Sequence, residues 1–156
     1  MTDHHHEPNA LAREVGTCMW ARDRATQALD MELVSIAPGA AVISMPVTAV
    51  MLNGHQTCHG GYIFTLADSA FAYACNSHNQ NTVAAACHID FLAPAHEGDI
   101  LEAEAIERSL AGRTGVYDVT VRIRGGKTCA LFRGKSYRIS GEVLTALAPA
   151  QPAPTH

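Results

Sequence analysis

The middle of this chain is almost without charge. Between Glu32 and Asp90 the only formally charged residue is Asp68, and no Lys or Arg occurs between Arg24 and Arg108. Other things are missing too. No apolar run is long enough for a membrane-spanning helix. The net charge of −4 lacks the basic excess of a general nucleic-acid binder. The five cysteines show no spaced framework, which fits a reducing compartment. No third ligand beside His55 and His59, and no paired-cysteine pattern, supports zinc or another metal. No glycine loop of the P-loop or dinucleotide type is present. No Gly-x-Ser-x-Gly turn offers a serine nucleophile. The first residues lack the basic-then-apolar layout of a signal peptide, so the expected location is cytoplasmic.

What is present is a compact, apolar chain. Its 156 residues are 47% hydrophobic and 17% charged, enough to bury the core of one domain and too apolar to stay unfolded. The charges are uneven. Eight of the eleven basic residues fall between Arg108 and Arg138. That end can meet phosphates, or it can be an ordinary set of solvated strand faces.

The expected organisation has three parts: a loose arm over residues 1–9, a domain over 10–140 and a disordered Pro/Ala-rich tail over 141–156. Leu11, Val15, Cys18 and Met19 predict a short amphipathic helix. Residues 29–37 and 40–48 read as strands around a Pro38-Gly39 turn. Residues 51–59 read as a loop. A long apolar helix runs from Gly60 to about Ser77, ended by the polar cluster Asn76–Asn81. Strands are expected at 82–92, 100–110, 114–124 and 128–139, with Gly112 and Gly125-Gly126 as hairpin turns. A helix that is apolar all round has to be buried. One antiparallel sheet wrapped around it does so, which predicts an α+β fold. Much apolar surface remains, and a dimer or larger oligomer covers it.

Polar function is densest in Asn53-Gly-His55-Gln-Thr-Cys58-His59-Gly60-Gly61 and in Asp68. Gly60 and Gly61 at a helix start leave backbone N–H groups unobstructed, and the helix dipole favours negative charge there, such as an acyl-transfer oxyanion. Asn53 offers a donor and an acceptor for a water. Asp68 lies roughly 12 Å of helix rise from Gly60. If Gly60 holds a carbonyl, Asp68 of the same chain is not an obvious partner, and a carboxylate from a second subunit can complete the site. The bland readings stand beside these. Asp68 can be a structural carboxylate held by hydrogen bonds, His59 a satisfied loop histidine, and Cys58 and Cys75 small core residues.

Three stretches carry a family likeness: Asn53-Gly54-His55, Cys58-His59-Gly60-Gly61, and Leu66-Ala67-Asp68-Ser69-Ala70-Phe71-Ala72. Together they resemble the motif of hotdog-fold acyl-CoA thioesterases. Cys87-His-Ile-Asp-Phe-Leu-Ala-Pro94, Gly115-Val-Tyr-Asp118 and Ala130-Leu-Phe-Arg-Gly-Lys-Ser136 narrow the resemblance to the phenylacetate-degradation (PaaI) branch, over roughly residues 10–140. The resemblance implies a curved antiparallel sheet around one central helix and a homotetramer built as a dimer of dimers. Each active site then takes Gly60 and Asp68 from opposite subunits. It implies a cytoplasmic hydrolase of aryl-acetyl coenzyme A thioesters in phenylacetate catabolism, with acyl-CoA as its partner and no cofactor. The Gly60 N–H polarises the thioester carbonyl. By the same resemblance Asp68 is general base or nucleophile, Asn53 positions the water or nucleophile, and His59 supports the loop. Gly61, Arg133 and Lys135 are the implied substrate contacts, the last two for coenzyme A phosphates. A hotdog acyl-thioester dehydratase and a non-catalytic acyl-CoA sensor are the alternatives.

Overall fold

A computed structural model describes residues 7–146 of the chain. Two short helices come first, α1 (Pro8–Trp20) and α2 (Arg24–Ala28). Strands β1 (Glu32–Ala37) and β2 (Ala40–Pro46) follow, then a 3-10 turn at Ala49–Met51. The central helix α3 spans Gly60–Asn76. Four long strands complete the sheet: β3 (Gln80–Phe91), β4 (Ile100–Ala111), β5 (Thr114–Ile123) and β6 (Thr128–Glu142). A last turn of helix, α4, covers Val143–Ala146. The expected order of one helix, two strands, the long helix and four strands is present, with α2, the 3-10 turn and α4 in addition. Order extends beyond the expected domain limits, because Glu7 caps α1 by accepting from the Asn9 and Ala10 amides and β6 continues to Glu142. Residues 1–6 and 147–156, which carry most of the expected arm and tail, lie outside the described residues.

All pairings are antiparallel, in one six-stranded sheet of order β1-β2-β4-β5-β6-β3. The tight turns fall where glycine supplies a left-handed backbone: Gly39 at φ 72°, Gly112 at 60° and Gly125 at 72°. Inward and outward residues alternate along β5 and β6, so each strand offers one face to the core. That face curves around α3, which packs on β2, β3, β4 and β5.

The helix is pinned at both ends. His59 caps its start. At its end Asn76 makes two 3.0 Å hydrogen bonds with the backbone of Thr82, donating to its carbonyl and accepting from its amide. Between them Phe71 is fully buried, with its ring 5.5 Å from that of Tyr117 and 5.9 Å from that of Phe132. Gly134 is the reason the helix can come so close. A Cβ there would stand 2.8 Å from the Phe71 ring. Phe71 has no open space to swing into, so Gly134→Ala overpacks the core at about 1–3 kcal/mol. The check is urea unfolding: the midpoint should fall with the slope unchanged, and an unchanged midpoint would show that the helix–sheet contact is looser than described.

One stripe of α3 is less well covered. Gly61 is exposed, and Thr65, Asp68 and Ala72 are only half-buried, at the spacing of a single helix face. Thr65 and Ser69 fold their hydroxyls back onto the Gly61 and Thr65 carbonyls at 2.8 and 2.7 Å. Among the described residues β3, an edge strand, is also bare along its unpaired side. Its segment Val83–Ala86 is exposed, apolar and uncharged.

Candidate active site

The loop before α3 is built to hold its first turn in place. Asn53 N–H donates to Thr57 O at 2.9 Å, and Leu52 bridges Cys58. The Asn53 side-chain oxygen accepts from the His55 amide at 2.9 Å and from the Thr57 amide and hydroxyl, both at 3.3 Å. Two N–H donors on that oxygen fix the amide's orientation and leave only its NH2 to face a ligand. Gln56 takes a left-handed φ of 62°, which lets the loop close. Two further bonds tie the loop to its surroundings: Cys58 N–H to Ala95 O at 2.8 Å and His59 N–H to Met51 O at 2.7 Å.

His59 then sorts the helix amides. Its Nδ1 accepts the Gly61 N–H at 2.9 Å, and its carbonyl accepts the Tyr62 N–H at 3.0 Å. Nδ1 is thus unprotonated, and the ring proton sits on Nε2. The expectation that both glycine amides are open is corrected here. Gly61 has given its N–H to His59, because the cap reaches the second helical residue. Among the described residues the Gly60 N–H has no acceptor. It is a single donor at the positive end of a helix dipole.

Gly60 lines a cavity of about 370 Å3 together with Thr57, Ile63, Phe91, Leu92 and Pro94, among others. The tip of the Phe91 ring occupies the space where a Cβ on Gly60 would lie, 2.9 Å from that position. Glycine is therefore needed at 60 for close approach rather than for its dihedrals. Cys58 also lines the cavity, but burial first, and then Cys129, push its thiol up to about 11. It is a protonated wall residue at neutral pH, not a nucleophile.

Asp68 sits two turns along α3, about 12 Å away by helix rise. It has no hydrogen-bond or ion-pair partner among the described residues. Every fully buried side-chain polar atom among them does have a partner, so the Asp68 oxygens still reach solvent. Burial holds its carboxyl above the usual carboxylate range. Its field is felt by two thiols. Cys75 is pushed up to about 12, mainly by burial and then by the Asp68 charge, and Cys87 on β3 is raised by the same causes. A structural carboxylate would be hydrogen-bonded, and this one is not.

The two basic residues stand elsewhere. Arg133 and Lys135 occupy the outward face of β6, the side away from α3, and neither lines the Gly60 cavity. Arg133 grips Asp118 with two bonds, Nε at 2.7 Å and Nη2 at 3.0 Å, and Arg108 reaches the same carboxylate at 3.1 Å. Among the described residues no cluster of three or more His, Cys, Asp or Glu is placed to hold a metal.

The chain that carries this helix-start donor and this unpaired carboxylate is similar to proteins of known family. The thioesterase superfamily matches residues 55–130. The acyl-coenzyme A thioesterase PaaI of Escherichia coli (strain K12) is 53% identical over 125 residues, 80% of this chain and 89% of that protein. The chain belongs to the PaaI family of hotdog-fold acyl-CoA thioesterases.

The fold agrees. The structure of E. coli PaaI, from the phenylacetic acid degradation operon, superposes with a TM-score of 0.86 at 49% identity, covering 87% of this chain and 99% of that one. A mutant structure of the phenylacetic acid degradation protein PaaI of Thermus thermophilus gives 0.72 at 41%, covering 75% and 100%. As a PaaI-family member the chain is a thioester hydrolase, and its curved sheet and central helix are the hotdog. Phe91 is the site residue that sequence reasoning passed over. The signal was indirect: a glycine with an ordinary helical backbone implies that something presses on it.

The raised Asp68 pKa has a thermodynamic consequence. A carboxyl raised in the folded state costs nothing while it is protonated in both states. Stability is lost as pH rises through the folded-state pKa. Asp68→Asn should therefore unfold at higher urea than wild type at pH 7, with the gap closing as pH falls below the ordinary carboxylate range. Unfolding curves at pH 7 and pH 3, at fixed protein concentration, decide it. A less stable variant at pH 7 would show that Asp68 is held by favourable contacts.

Proposed function

We propose that this enzyme hydrolyses aryl-acetyl coenzyme A thioesters, phenylacetyl or hydroxyphenylacetyl, in phenylacetate catabolism. The observation that carries the chemistry is an N–H without an acceptor on Gly60, a residue that lines a cavity. The names of the E. coli and Thermus relatives support the substrate class.

The Gly60 N–H takes the thioester oxygen and stabilises the charge that develops on it. His59 holds the turn so that this amide, and not Gly61, faces the substrate. Gly61 contributes by leaving room, since a Cβ there would lie 3.0 Å from the His59 Nδ1. Asp68 removes a proton from the attacking water, or attacks the carbonyl itself; its raised pKa brings it closer to a working base. The Asn53 NH2 orients the water. The leaving thiolate needs little help, because thiols ionise near 8.5. One carboxylate, one donor and one water suffice in this reading, with no cofactor. Arg133 and Lys135 are assigned to the coenzyme A phosphates, which requires Arg133 to exchange Asp118 for phosphate.

Gly60 and Asp68 of one chain are too far apart to share a carbonyl. The site is therefore completed between two copies. The half-covered stripe Gly61-Thr65-Asp68-Ala72 and the bare apolar edge of β3 support this, since an exposed apolar edge strand is a template for pairing. Pairing of β3 edges joins two sheets and brings two α3 helices together, and two such dimers make the tetramer. The five free cysteines suit the cytoplasm.

The test is thiol release from phenylacetyl-CoA, followed with a thiol reagent beside a panel of straight-chain acyl-CoAs. Aryl-acetyl substrates should give the highest kcat/KM, and Asp68→Asn should lower kcat by at least ~10². Near wild-type turnover in that variant would sink the assignment of Asp68. A uniform response across the panel would sink the substrate class.

A further inference from the structure

The chain has four phenylalanines. Three are spent on the core: Phe64 packs on Phe132 at 5.4 Å, and Phe71 packs on Phe132 and Tyr117. Phe91 is different. It is 54% exposed and has no aromatic partner among the described residues, yet its ring tip touches Gly60. It also lines the cavity that Gly60 lines, beside the equally exposed Leu92. A large apolar ring is left open beside the unpaired N–H at the start of α3.

We infer that Phe91 is a specificity-determining residue, whose open ring receives the aryl group of the substrate. The inference rests on the aryl-acetyl reading above and names the protein surface that would enforce it. In an aryl-acetyl thioester one methylene separates the carbonyl carbon from the ring. With the carbonyl oxygen on the Gly60 N–H, the acyl ring falls within reach of Phe91, at the roughly 4.5–7 Å centroid spacing that aromatic pairs prefer. A straight-chain acyl group placed the same way meets the same wall without the aromatic preference. The ring also keeps water from the Gly60 side of the carbonyl, where water would compete for the N–H. Its hold on Gly60 couples recognition of the acyl group to placement of the donor.

The experiment compares kcat/KM for phenylacetyl-CoA and hexanoyl-CoA in wild type, Phe91→Leu and Phe91→Tyr. The ratio of two substrates on one preparation does not depend on the fraction folded, so partial misfolding leaves the test intact. Phe91→Leu should lower the phenylacetyl-to-hexanoyl ratio by about 3–10-fold, the size of one aromatic pair, and Phe91→Tyr should keep the wild-type ratio. Equal losses on both substrates in Phe91→Leu would overturn the inference, because the ring would then serve the coenzyme A arm common to both, or the fold. An unchanged ratio overturns it as well. Wild type separates the two levels: if it prefers hexanoyl-CoA, the aryl-acetyl reading fails together with the inference, whereas aryl preference with an insensitive Phe91→Leu sinks the inference alone.

Discussion

The rise of one α-helix governs this site. Gly60 and Asp68 both belong to α3, and helix geometry holds them about 12 Å apart. Nothing in the chain can shorten that distance without breaking the helix, and the helix is the core of the fold. A donor at its start and a carboxylate in its middle serve a single carbonyl only if they come from two helices. The half-covered stripe through Asp68 and the uncharged, unpaired edge of β3 are what two such helices and sheets need in order to meet.

Charge depletion and catalysis follow from the same arrangement. A face that packs against another copy, as proposed for this one, has little tolerance for unpaired charge. Asp68 is nevertheless kept there without a partner, with its carboxyl raised by burial. Holding a carboxylate there costs stability, and a cost of that kind is common at functional sites; the proposed role of Asp68 as base or nucleophile fits it. The surrounding hydroxyls do not relieve it, since Thr65 and Ser69 turn back onto their own helix. At the other end, His59 uses up the Gly61 amide and leaves Gly60 alone. The Gly60 N–H and the Asp68 carboxylate are both left without a partner among the described residues.

Much of the fold was legible in the sequence. The start of α3 follows from Gly60 after a polar loop, and its end from Asn76. Gly39, Gly112 and Gly125 mark the hairpins because their backbones are left-handed. The short α2 was not legible: five residues carry no periodicity, and only the Asp23 cap on the Thr26 amide announces them. The second strand, expected to reach residue 48, stops at Pro46, and the chain turns into a 3-10 turn in which Val50 is exposed. At the site, Asp68 stood out as a lone charge. Residue type does not reveal which end of the Asn53 amide is spent on its own loop, which glycine N–H a cap takes, or that Phe91 leans on Gly60. Those depend on loop closure and on contact between segments far apart in the chain.

The most direct measurement concerns whether Asp68 and Gly60 act from opposite subunits. Gly60→Pro deletes the N–H at the first helical position, where the helix backbone accepts proline and His59 already has the extended backbone that a residue before proline adopts. Its ring also pushes on Phe91, which a Cβ at 60 would approach to 2.9 Å, so both effects disable the Gly60 end of the site and leave Asp68 in place. Asp68→Asn deletes the base. The two inactive chains are co-expressed with different affinity tags and purified through both. Assembly across subunits gives each mixed dimer one site with both lesions and one intact site, and thioesterase activity should return to roughly a quarter to half of wild type. Mixed assemblies as inactive as either parent would mean that each site draws both residues from a single chain, and would contradict the shared site.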